Sequence, residues 1–292
     1  MDDICYAVVR RHDIEKQREA DWQDLTIDGK NIRFLQEPLL GKRFIAQTKQ
    51  NHDGDTYWYI CFFAGTSDQT ELFVQLSPKE LDTNGVLARA IWQVPENSRP
   101  SREGCERASK FIRSSKSLIL DNYSESSGRW FATDGAGFSM MSPKIQKSTF
   151  LRSVIMLALA CAYRLRMESL VNDLSDIDQR RLLKGNLARR ASEFNARCYF
   201  RYPVKLENNA LVEIWEAISN KLRINDLNQE LIEQARQLHD LISAEESQRE
   251  QRRWQLISIL LSMISALQVL SLLSEETRAH WWSAIIRWLG LE

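Results

Sequence analysis

Net charge of either sign is missing from this sequence, in which 39 lysines and arginines are balanced by 39 aspartates and glutamates. Without a global field, nucleic acid is not expected as a partner. The five cysteines, Cys5, Cys61, Cys105, Cys161 and Cys198, are scattered, odd in number and never spaced as CxxC. That argues against a zinc site and for a reducing compartment. The N-terminus, MDDICYAVVRRHD, has acids where a signal peptide carries basic residues and too short an apolar run for its core, so the N-terminal part is expected to stay in the cytosol. Catalytic motifs are missing too. The only glycine-rich segment, Thr133 to Ser139, lacks the GxxxxGK[ST] spacing of a phosphate loop, and Gly137-Phe138-Ser139 does not make the GxSxG turn, so the segment reads as a flexible linker. No cofactor, no metal and no enzymatic activity are expected. A hydrolase using Cys61 or Cys105 with His52 is the enzymatic alternative, without a motif behind it.

What the sequence does contain is a long run without ionisable residues, Trp254 to Ser274, between Arg252-Arg253 and Glu275-Glu276. At roughly 1.5 Å of rise per residue it extends about 30 Å, the thickness of a bilayer's hydrocarbon core, and so predicts a transmembrane helix. Gln255, Ser258, Ser262 and Ser265 fall close to one face of it. In lipid such a stripe favours close helix contact, so homo-oligomerisation is expected through it, either as a simple contact or as the lining of a conduit. A buried or amphipathic helix of a soluble protein is the remaining reading. The tail, residues 275–292, contains Trp281, Trp282 and Trp288. Together with Trp254 these predict anchoring at the membrane interface, or an incomplete second span.

Residues 1–145 read as an α/β domain in the cytoplasm. Short apolar runs broken by turn residues predict strands over Ile4–Val9, Asn31–Leu35, Arg43–Thr48, Tyr57–Phe63 and Glu71–Leu76. His52-Asp53-Gly54-Asp55 lies between two of these and reads as a hairpin turn rather than a metal site. Tyr57-Trp58-Tyr59 predicts a central strand with its aromatics in the core, not a base-stacking platform. Helices are expected over Lys79–Trp92 and Ser101–Ser117, the second capped by Ser101. Its basic residues Arg102, Arg107, Lys110 and Arg113 form either an ordinary solvated face or a docking surface for a phosphate-bearing ligand or acidic partner protein. Leu118–Leu120 and Arg129–Ala132 are expected to return as strands.

Residues 146–253 read as a helical bundle and stalk. Phe150–Tyr163 is apolar all round but too short to span a bilayer, which makes it a buried central helix running on to about Asp173. Further helices are expected from Asp176 to about Arg201, with Leu182, Leu183, Leu187, Phe194 and Cys198 packed, and from Asn209 to Leu222. A last one starts near Asn225 with a seam of Leu227, Leu231, Leu238, Leu241 and Ile242. From Ala244 to Arg253 the sequence is polar on every side.

The segment Leu227–Arg253, followed by the run ending Ser265-Ala266-Leu267-Gln268-Val269-Leu270, resembles the CorA-like superfamily in its order of parts: an α/β domain, a bundle, then a long helix entering the membrane through a polar neck. The Gly-Met-Asn motif of CorA transporters does not follow Ser274, so no site residue carries over and magnesium transport is not implied. What the resemblance implies is the divergent, motif-free branch associated with bacterial antiphage defence. The expectation is therefore an α+β protein of the inner membrane: an oligomer whose cytoplasmic domain controls a conduit or membrane-perturbing segment, with membrane lipid and further copies of itself as partners. A membrane-tethered scaffold for a partner protein is the alternative.

Overall fold

Alternation along Ile4–Arg11 puts Cys5, Ala7 and Val9 on one side of a strand and Tyr6 and Val8 on the other. Both sides are buried, as in a strand covered on two faces. In the computed structural model this strand, β1, lies in the middle of a mixed sheet. The structure describes residues 3–11, 22–40, 44–50, 54–95, 99–175, 181–272, 284 and 286–287, and their side chains except at 181–185 and 270–272.

After β1 come β2 (Gln23–Asp24), β3 (Thr26–Ile27), β4 (Lys30–Asn31), the short α1 (Glu37–Leu40), β5 (Phe44–Gln50), β6 (Thr56–Phe62), β7 (Thr70–Ser77) and β8 (Ala88–Gln93). Helix α2 (Arg102–Arg113) precedes β9 (Ser124–Ser126), β10 (Arg129–Asp134) and β11 (Gly137–Met141). The rest is helical: α3 (Lys147–Ser175), α4 (Arg181–Arg197), α5 (Asn209–Lys221) and α6 (Ile224–Leu272). Among the described residues nine strands form one sheet in the order β2-β5-β6-β7-β1-β8-β11-β10-β9. Its neighbours are antiparallel except β8 and β11, which run parallel. The chain is thus α+β. Two compact units are present, residues 1–236 and 237–292. The expected boundary at residue 145 is where strands give way to helices within the first.

Helix α3 packs against β7 and β8, in the core that also takes Cys5, Ala7 and Val9 of β1. From Val154 to Tyr163 every one of its side chains is buried, so this segment has no amphipathic stripe. Tyr163 stacks on Phe63 at 5.4 Å and meets Phe194 and Trp215 edge-on. Its hydroxyl donates to the Cys198 carbonyl at 3.0 Å and accepts from the Phe200 amide at 3.2 Å, which makes its burial tolerable. Helix α2 packs against β8 and β11, sharing a second cluster with Tyr6, Val8 and Ile91. Ser101 caps its start by accepting from the Gly104 amide at 3.1 Å. At its end Arg89 donates to the Phe111 and Ile112 carbonyls, supplying partners that the last helical turn lacks.

Several expectations are corrected. Lys79–Trp92 is not a helix: its C-terminal part is β8, and residues 78–87 are turns and irregular chain. Ala88, Ala90, Ile91 and Trp92 are buried between β1 and β11, and that pairing outweighs local helix preference. Leu118–Leu120 does not form a strand but leads into a 3₁₀ turn over Leu120–Asn122. Thr133–Ser139 is not a linker but the β10–β11 hairpin. Gly137 there has φ 148°, and a Cβ on it would lie 1.6 Å from the Arg89 carbonyl oxygen, so the close approach of β8 requires glycine. Asn31–Leu35 contributes only the end of β4 and an isolated bridge from Leu35 to Val204. Of the aromatics in β6, Trp58 is in the core, while Tyr57 and Tyr59 point the other way and are half-buried. His52, Asp53 and residues 176–180 lie outside the described residues, as do the side chains of Leu182 and Leu183.

Candidate functional site

Helix α6 begins with buried residues, Ile224 and Leu231 at 0% exposure. Leu227 and Leu238 are half-buried and Leu241 is 64% exposed. From Ser243 to Val269 every residue is exposed, whatever its polarity. Leu256, Ile257, Ile259, Leu260, Leu261, Met263, Ile264, Leu267 and Val269 are 45–63% exposed and Trp254 is 68% exposed. Together they leave on the order of 1,000 Å² of apolar surface uncovered, against roughly 300–600 Å² for the largest patch on a typical monomer. Gln255, Ser258, Ser262 and Ser265 are exposed on the same segment. No described helix is long and apolar enough to cross a membrane; the run Trp254 to Ser274 continues past Leu272, the last described residue of α6. Trp281, Trp282 and Trp288 lie outside the described residues.

The basic residues of α2 are mostly engaged. Arg102 pairs with Glu106 at 3.3 Å and Arg107 with Glu103 at 3.0 Å, each one turn away on the same helix. Arg107 also reaches the Gln93 amide oxygen, and Arg113 pairs with Asp134 at 2.5 Å. Lys110 is exposed. The two pairs within α2 are solvent-exposed and worth about 0.3–0.5 kcal/mol each, whereas Arg113–Asp134 is partly buried; together they neutralise much of the charge on this face.

Cys61 and Cys105 lack the exposure and lowered pKa of a reactive thiol. Cys61 and Cys105 are buried, and desolvation pushes Cys61 up to about 11 and raises Cys105. A thiol held protonated at neutral pH does not attack. Among the described residues no group of histidines, cysteines and carboxylates could hold a metal ion.

Three arrangements could not be read from the sequence, because each joins distant segments. Asp68, 4% exposed, holds Arg166 of α3 through Nε at 2.7 Å and Arg190 of α4 at 3.4 Å. It ties the β6–β7 loop to two helices. Beside it an open groove of about 380 Å³ runs past Arg11, Glu71 and Ser169. Arg129, 6% exposed, lines a small apolar cavity with Glu213, and burial lowers its pKa. On the open side of β6 and β7, Tyr57 stacks on Phe73 at 5.4 Å and Trp22 meets Tyr59 edge-on. The chain matches no family model, no curated protein and no solved structure.

Proposed function

We propose that this protein is a membrane-anchored oligomer of the CorA-like kind, in which residues 254–274 form the anchor and the N-terminal unit controls a conduit or membrane perturbation from the cytoplasmic side of the inner membrane. The supporting observation is the uncovered apolar surface of Trp254–Val269. In water that surface costs about 25 cal/mol per Å², which a bilayer or a copy of the same helix removes. The serine and glutamine stripe supplies the face for self-association. Antiphage defence is the biological role that fits a divergent, motif-free member. The test compares dye release from liposomes by the full chain and by one ending at Arg253. Release by the full chain alone is expected, and equal release by both rejects the reading.

The second reading is a scaffold that tethers a partner protein to the membrane. The half-buried aromatics Tyr57, Tyr59 and Phe73 on one sheet face favour it, since aromatic side chains are enriched where proteins dock. It predicts that a foreign transmembrane helix replaces residues 254–292 without loss of function, whereas the conduit reading predicts loss.

A further inference from the structure

A helix turns by about 100° per residue, so positions three, four and seven apart share a face. Within α6, Arg249, Arg252 and Arg253 stand at that spacing, and Leu256, Leu260 and Leu267 continue the same face. The opposite face carries Ser247, Gln251, Ser258, Ser262 and Ser265, which are small or polar and uncharged. All of these side chains are exposed. The acidic residues on the same stretch are Glu245, Glu246 and Glu250, also exposed. Glu245 and Glu246 lie on the arginines' face but one turn before Arg249, further from the apolar run, and Glu250 is turned away by about a quarter of the circumference. The charges nearest the start of the run are therefore Arg252 and Arg253.

We infer that Arg249, Arg252 and Arg253 bind the headgroups of anionic phospholipid on the outside of the assembly, while the serine and glutamine face opposite them meets neighbouring subunits. This rests on the membrane-anchor reading and adds to it a lipid class and a direction for the helix. Charge complementarity selects the ligand. Guanidinium groups bind phosphate through paired hydrogen bonds, and basic residues just outside the hydrocarbon favour anionic lipid. The facing follows from the alternatives: three arginines turned inward would repel their copies, whereas serines turned outward would forgo close packing.

The test reconstitutes the full chain by detergent dilution with vesicles of phosphatidylcholine alone or phosphatidylcholine mixed with phosphatidylglycerol, and measures flotation and resistance to alkaline extraction. The wild type is expected to prefer the anionic vesicles, with the preference falling as salt is raised. Replacing all three arginines by glutamine is expected to remove about fivefold of that preference per arginine while leaving flotation with neutral vesicles intact. Adding Ser247→Arg and Gln251→Arg to that variant returns two of the three charges on the opposite face and is expected not to restore the preference. Full restoration overturns the assigned facing. Equal binding to both vesicles by an extraction-resistant wild type overturns the lipid assignment and leaves the anchor standing. Flotation with neither overturns the anchor reading, and the lipid assignment with it.

Discussion

Placing arginine at Leu260 and Ile264 tests whether the exposed segment of α6 belongs in lipid or against protein. Ile264 is midway along Trp254–Ser274 and Leu260 is one turn earlier, and they are 48% and 59% exposed. In a bilayer, arginine near the helix centre costs about 2.5–3.5 kcal/mol where leucine or isoleucine contributes about −0.3 to −0.6. The double substitution Leu260→Arg, Ile264→Arg therefore disfavours insertion by about 6–8 kcal/mol, enough to abolish it. The cost to the N-terminal unit is different. Neither side chain is buried, and exposed substitutions usually stay within about 0.5 kcal/mol. The expected result is loss of the protein from the alkaline-extracted membrane fraction with an unchanged thermal midpoint for the unit of residues 1–236. A variant retained in that fraction refutes the reasoning, and so does one whose N-terminal unit melts several degrees lower, since the helix would then be packed in a soluble core.

Other predictions concern the N-terminal unit. Asp68→Ala leaves Arg166 and Arg190 without their shared carboxylate in a nearly buried site, and should cost about 3–5 kcal/mol in denaturant unfolding. Gly137→Ala drives a methyl group into the Arg89 carbonyl and should cost several kcal/mol, at least about 3, whereas Gly135→Ala, with no atom within 4 Å of its added Cβ, should be nearly neutral. Cys61 has its folded value raised from 9.0 to about 11, and Cys161 to about 12. Because the unfolded thiols ionise first as pH rises, stability should be flat below about 9 and fall between about 9 and 12. A pH series of unfolding midpoints checks this, and a Cys61→Ala, Cys161→Ala variant should flatten the fall. Both thiols should also resist alkylation at pH 8 until the protein is denatured.

Local pattern determined a good deal here. The short apolar runs of β1, β6 and β7, the serine cap of α2, the apolar spacing of Leu211, Ile214, Trp215 and Ile218 in α5 and the all-apolar run of α3 each depend on neighbours within a few residues, and each was legible from the sequence. So was the absence of charge from Trp254 to Ser274, which is what makes the candidate site a candidate. The tertiary structure decided what depends on distant partners. Ala88–Gln93 is a strand because β1 and β11 hydrogen-bond to it from opposite sides. Gly137 is required because the β8 backbone passes where its side chain would be. Tyr57 and Tyr59 are separated from Trp58 by the pleat and lie away from the face that α3 covers, and Asp68 gathers arginines from two helices. Periodicity in a single strand of text records which residues share a face. Only the paired backbones and packed layers determine what covers it, and for Trp254–Val269 the described residues leave it uncovered.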